Sequence, residues 1–78
     1  ASRRRKMRMP NRGIINALKD AYKEGDRVRL VEMDDRQAPP SGTEGTVIGV
    51  DDMGTIHVAW DNGSSLGVIY GIDRCVKL

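Results

Sequence analysis

The sequence predicts a mainly β protein, a small five-stranded antiparallel barrel preceded by one short amino-terminal α-helix. Ile14, Ile15, Leu18 and Tyr22 follow a helical period, and after Gly25 the apolar pattern changes to alternation. Five of the nine glycines, Gly42, Gly45, Gly49, Gly54 and Gly63, fall in one stretch beside strand-like residues. That is the chemistry of turns and bends. A phosphate-gripping loop needs glycines that lead into a helix, usually with Gly-Lys-Ser or Gly-Lys-Thr, and neither occurs here.

Taken in order, residues 1–10, "ASRRRKMRMP", have no apolar period and pile up like charge, so a solvated, flexible basic arm is expected. Residues 11–24 then form the helix: Asn11 follows Pro10 as its cap, Ala17 and Ala21 widen the apolar stripe, and Gly25 supplies the stop. A helix of about three turns is stable only if that stripe docks on something. Residues 25–78 form the barrel. In "DRVRLVEM" Val28 and Leu30 share one face, with Arg27, Arg29 and Val31 on the other. "DDRQAPPS" is a loop, because Pro39 and Pro40 cannot donate to a ladder. Thr46 to Val50 is the second strand, and Asp51-Asp52-Met53-Gly54 is a tight turn with Gly54 at positive φ. "TIHVAWD" puts Ile56, Val58 and Trp60 on one face. Asn62-Gly63 is expected as a two-residue hairpin turn with both residues at positive φ. "SSLGVIY" is read as the returning strand, "GIDR" as a helical turn and "CVKL" as the last strand.

Seventy-eight residues make one domain with a modest core, and with Trp60, Tyr22 and Tyr70 as its only aromatic residues the core must come from Val, Ile, Leu and Met. The single cysteine, Cys75, cannot form an internal disulfide, and the amino end carries no apolar signal segment, so a cytoplasmic setting is expected. No run of about eighteen apolar residues exists to form a membrane-spanning helix.

The formal net charge of +2 conceals a segregation of charge. Residues 1–24 carry eight basic and two acidic side chains, net +6, whereas residues 25–78 carry five basic and nine acidic, net −4. Arg3, Arg4, Arg5, Lys6 and Arg8, with Arg12, suit successive phosphates, where released counterions drive binding without reading sequence. Arg27 and Arg29 share a strand face and extend that track onto the barrel. No aromatic interleaves the cations, so base stacking by the arm is not expected.

Groups able to do catalysis are scarce. His57 is the only histidine and lies opposite Trp60 by alternation, with no orienting partner apparent in sequence. Cys75 beside Val76 reads as a buried thiol. One Cys and one His cannot fill a zinc site, and the pairs Asp34-Asp35 and Asp51-Asp52 lack the alternating ligands and distal Glu of a calcium loop. Asp51 fits a local side-chain turn. The expectation is a protein that is not an enzyme and has no cofactor and no metal.

"GDRVRLVEMDD", "APPSGTEGTVIGVDDMGTIHVAWDNGSSL" and "YGIDR" resemble the DUF4314 family, small proteins of bacteria and mobile elements with no assigned activity. The resemblance covers roughly residues 10–78. It implies that the barrel is SH3-like. More loosely, Gly-x-x-Gly-x-Val after the first strand is similar to KOW-type barrels, which often touch RNA. The very basic "RRRKMR" start departs from that pattern.

Two functions are therefore expected of a non-catalytic binding module. In the first, the arm with Arg27 and Arg29 contacts a nucleic-acid backbone. In the second, the barrel surface is a protein-interaction adaptor or inhibitor from a mobile element. There Met33, Asp34, Asp35, Trp60 and Tyr70 form an aromatic and acidic patch for basic or proline-rich peptides, although alternation also assigns Trp60 to the core.

Overall fold

The structure is a computed structural model and describes residues 11–78. The arm, residues 1–10, lies outside the described residues. Helix α1 spans Arg12–Ala21, and the strands are β1 (Arg27–Glu32), β2 (Glu44–Val50), β3 (Thr55–Trp60), β4 (Val68–Ile69) and β5 (Arg74–Lys77). All pairings are antiparallel, in the order β4-β3-β2-β1-β5. The sheet bends until its two outer strands approach one another, which makes the mainly β, SH3-like barrel expected from the sequence.

Alternation builds the core. Val28, Leu30, Val47, Ile56, Val58, Trp60 and Val68 form one buried cluster, because period-two placement sends all of them to the inner face. Gly45 sits opposite Trp60 in the β2–β3 ladder, and a Cβ there would meet Val58 Cγ1 at 2.6 Å and the Ala59 carbonyl oxygen and Trp60 Cε3 at 2.9 Å. The missing side chain is what lets the indole pack. Register shifts at Val31 in β1 and Ile48 in β2 supply the bends that a five-stranded sheet needs to curl.

Asn11 caps α1, its Oδ1 accepting from Ile14 N at 2.8 Å. Ile15 is buried, and Leu18 and Tyr22 pack against the core. The helix is shorter than residues 11–24: Tyr22 is already extended, with Tyr22 N donating to Leu18 O at 2.8 Å. Gly25 is not its stop. That residue has φ 95° and donates to Val47 O at 2.8 Å, so it opens the first strand pairing. Ala17 and Ala21 are exposed rather than part of the stripe.

The turn at Asp51–Gly54 forms as expected, with Gly54 at φ 83°. The next one differs. Asn62 does not have positive φ; Gly63 alone does, at 95°. Gly63 N donates to Trp60 O and Trp60 N to Ser64 O, both at 2.9 Å, closing a three-residue loop in which one glycine provides the reversal. The returning strand also shrinks to Val68–Ile69. Trp60 Nε1 donates to Leu66 O at 2.8 Å, which engages that carbonyl at the edge of the indole instead of in the ladder. Nor is "GIDR" a helical turn, since Gly71 has φ 86°.

Candidate functional site

The described surface has a groove of about 350 Å³ between the end of α1 and the turn that joins β4 to β5. Leu18 and Tyr22 form its helical wall, Ile56 and Val68 its floor, and Tyr70 to Cys75 the far side. Each side chain arrives for a local reason. The bond from Tyr22 N to Leu18 O holds the cap residue one turn beyond Leu18, which brings both side chains to the same wall. The positive φ of Gly71 reverses the chain between β4 and β5 and leaves Tyr70 44 % exposed at the rim.

Asp73 holds this side together. Only 4 % exposed, it accepts from Asp34 N through Oδ1 and from Ile69 N through Oδ2, each at 2.9 Å. Buried carboxylates need such donors. The first bond spans 39 positions and fastens the long β1–β2 loop to the β4–β5 turn, which brings Asp34 beside the groove. Sequence reading passed over Asp73. Its one signal was a carboxylate placed just before a strand, and its partners are backbone groups that no side-chain pattern reveals.

Cys75 is half-buried on the groove wall next to Tyr22. Burial pushes its thiol pKa up, partly offset by a hydrogen bond from Tyr22. Burial, and then the neighbouring thiol, push the Tyr22 phenol up as well. At neutral pH both groups are held protonated, so neither adds charge to the groove wall.

The remaining residues singled out by the sequence are dispersed. Trp60 is 3 % exposed and part of the core, so it presents no aromatic surface. Met33 is half-buried against the core, Asp35 Oδ1 accepts from Gln37 N at 2.9 Å, and Tyr70 stands at the groove rim. Of the acidic and aromatic set, Tyr70 lines the groove, and Asp34 is tied to it through the bond from its backbone N to Asp73.

Arg27 and Arg29 do share an outer face, but acidic neighbours occupy them. Arg27 grips Asp61 through both guanidinium nitrogens, at 3.0 and 2.6 Å, and also donates to Thr46 Oγ1 at 2.9 Å. Glu44 lies 3.5 Å from Arg27 and 3.3 Å from Arg29. The bond to Arg27 holds the Asp61 carboxyl below its usual range. A positive track onto the barrel is thus largely neutralised. Arg12 is exposed on α1, and Arg3, Arg4, Arg5, Lys6 and Arg8 lie outside the described residues.

His57 is exposed with Nε2 2.8 Å from Asp51 Oδ2, an orienting partner that sequence reading did not foresee. Asp51 Oδ1 also accepts from Met53 N at 2.9 Å and Thr55 N at 3.0 Å, the local side-chain turn expected for it. Among the described residues no three His, Cys, Asp or Glu side chains converge as a metal site requires, and no helix is long and apolar enough to cross a membrane.

No curated protein and no solved structure matches the chain at a significant level. A family model described as "Domain of unknown function (DUF4314)" matches residues 11–78, nearly the whole chain, and the chain belongs to that family.

Proposed function

We propose that the chain is a non-catalytic protein-interaction module whose barrel takes part of a partner in the groove between α1 and the β4–β5 turn. The groove itself carries this reading: about 350 Å³ of largely apolar concavity beside an exposed Tyr70 is the size and lining that receives side chains or small apolar groups. Tyrosine at such a rim adds contact area at low entropic cost. Residues 11–78 carry eight basic and eleven acidic side chains, net −3, which also favours protein over phosphate for the barrel.

A photo-crosslinking residue at position 70, with a control at exposed Ile48, tests the reading once adducts are identified and rebuilt from purified components. A defined adduct from position 70 that persists at high salt and disappears in Ile72→Lys supports it. Equal labelling from positions 70 and 48 counts against it.

A second reading is favoured by the charge segregation alone. The cations of residues 3–8 would hold a nucleic-acid backbone while the barrel engages protein. Fluorescence anisotropy with duplex DNA and single-stranded RNA at two salt concentrations tests it; absence of binding at low salt removes it.

A further inference from the structure

We infer that Asn62 is a site of spontaneous deamidation, in which the backbone nitrogen of Gly63 displaces the side-chain amide through a cyclic imide, at a rate set by opening of the loop around it. The chain has three asparagines, Asn11, Asn16 and Asn62, and of these the last alone precedes a glycine. A following residue with a Cβ crowds the approach of its own nitrogen to the asparagine Cγ, whereas glycine leaves that path open. The other two are also held in the helix region: Asn11 Oδ1 accepts from Ile14 N at 2.8 Å, and Asn16 lies inside α1. Asn62 and Gly63 are both exposed, so water reaches the reacting atoms. Asn62 Oδ1 accepts from Ser64 N at 3.0 Å. That bond fixes the side-chain carbonyl against the loop and sets a donor on the oxygen that takes negative charge as nitrogen adds. One contact opposes the reaction. Gly63 N donates to Trp60 O at 2.9 Å, and this proton must leave before the nitrogen can attack.

Water is the sole co-reactant. Opening of the bond to Trp60 O exposes the Gly63 N–H, which loses its proton to hydroxide. The nitrogen then adds to Asn62 Cγ. As that bond forms, the bond from Cγ to Nδ2 breaks, and Nδ2 leaves as ammonia with a proton from water. A water molecule next opens the imide at either carbonyl. Cleavage at Cγ restores the peptide bond and gives aspartate, whereas cleavage at the main-chain carbonyl gives isoaspartate, whose main chain runs through Cβ. The isoaspartyl form inserts a carbon within the loop that Gly63 N to Trp60 O and Trp60 N to Ser64 O close. Both products set a carboxylate beside Asp61, which Arg27 holds. Ageing at this loop therefore acts on the end of β3 that carries Trp60 into the core.

The full chain, folded and in guanidinium chloride, is incubated in mildly alkaline buffer made with heavy-oxygen water and mapped by mass spectrometry, using fragmentation that separates aspartate from isoaspartate. Both products are expected at position 62, each with one labelled oxygen, while Asn11 and Asn16 stay intact over the same interval. The folded chain should react ~5- to 100-fold more slowly than the unfolded one, the population cost of opening two surface hydrogen bonds. Protection of the Gly63 amide against hydrogen exchange should match that retardation within about 3-fold, because both processes need the bond to Trp60 O to open. Aspartate without isoaspartate would mean direct hydrolysis and would overturn attack by Gly63. No product at position 62 of the folded chain, in the time by which ~100-fold retardation would have converted half of it, would overturn the site. Equal rates in the two states beside a protected Gly63 amide would overturn control by loop opening.

Discussion

Asp73 and Asp34 are joined by a 2.9 Å hydrogen bond from the backbone of one to the carboxylate of the other, across 39 positions of sequence. The bond sets where the β1–β2 loop lies against the groove, and the second oxygen of Asp73 closes its own turn through Ile69 N. Replacing Asp73 by Ala leaves two part-buried amides without this acceptor, which should cost about 2–4 kcal/mol. Asp73→Asn retains one acceptor oxygen and should cost roughly half as much. Urea denaturation followed by Trp60 fluorescence measures both; a midpoint unmoved by Asp73→Ala would show that the loop is fastened elsewhere.

Gly45 and Gly49 lie in the same strand yet should respond in opposite ways to alanine. At Gly45 the new Cβ meets backbone oxygen and indole carbon at 2.9 Å, neither of which is a flexible side-chain end, so a loss of about 1–3 kcal/mol is expected from overpacking. At Gly49 nothing lies within 4 Å and φ is not in the left-handed region. Gly49→Ala should be neutral or stabilise by up to about 1 kcal/mol, through the reduced freedom of the unfolded chain. Thermal midpoints of the two variants give the comparison, and similar values for both would contradict the packing described around Trp60.

These elements also show how far the sequence was legible. Alternation of Ile56, Val58 and Trp60 was readable because one face of β3 is buried and the other wet, a local consequence of burial. Gly54 was readable because a four-residue turn needs positive φ at that point. The short β4 was not, because its limit is tertiary. The indole of Trp60 captures Leu66 O, and Gly67 packs so closely that a Cβ would lie 2.6 Å from Thr55 Cγ2. Asn-Gly fits two-residue and three-residue loops alike, so the dipeptide placed the turn without fixing its length. The groove was least legible, since α1 and residues 70–75 are brought together only by the fold. Asp34 and Tyr70 were singled out for their chemistry, and the bond to Asp73 is what gives them a common place.

Acid should unfold the protein through its turn carboxylates. Burial raises the Asp51 pKa, but the amide of Thr55, the ring of His57 and the amide of Met53 outweigh it, and the net shift is downward. Asp26, Asp52 and Asp61 are lowered too, chiefly by the Lys23 amide, Lys19 and Arg27 respectively. A carboxyl with a lowered folded-state pKa stabilises the fold above its unfolded value of about 4, and that contribution is lost as pH falls through the folded value. Stability should be level above about pH 5 and decline steadily below about pH 4. Asp51→Asn should lower the plateau and make the decline shallower. A decline in Asp51→Asn as steep as in the parent would remove Asp51 as a contributor.

Cys75 should alkylate slowly at neutral pH, because burial raises its pKa and the thiolate is the reacting form. Its hydrogen bond with Tyr22 opposes that rise, so Tyr22→Phe should move the midpoint of the iodoacetamide rate profile to still higher pH. A downward shift would mean that Tyr22 protects the thiol mainly by covering it.

Should the chain bind nucleic acid, Arg27 and Arg29 are expected to take no part. Both lie within ion-pairing distance of Glu44, and Arg27 is held by both oxygens of Asp61, so contact with phosphate would require breaking a bidentate pair. Such surface pairs are individually weak, about 0.2–1 kcal/mol, but the nearby carboxylates would also repel the incoming phosphate whether or not the pair broke. The double variant Arg27→Ser, Arg29→Ser should therefore bind duplex DNA with an affinity within about 2-fold of the parent and the same salt dependence. Arg4→Ser should reduce the slope of log affinity against log salt by about one, the value for a single lost phosphate contact. Anisotropy titrations at four salt concentrations resolve the difference. A slope reduced by about two in the strand variant would place Arg27 and Arg29 on the phosphates, and would mean that Asp61 and Glu44 release them when DNA arrives.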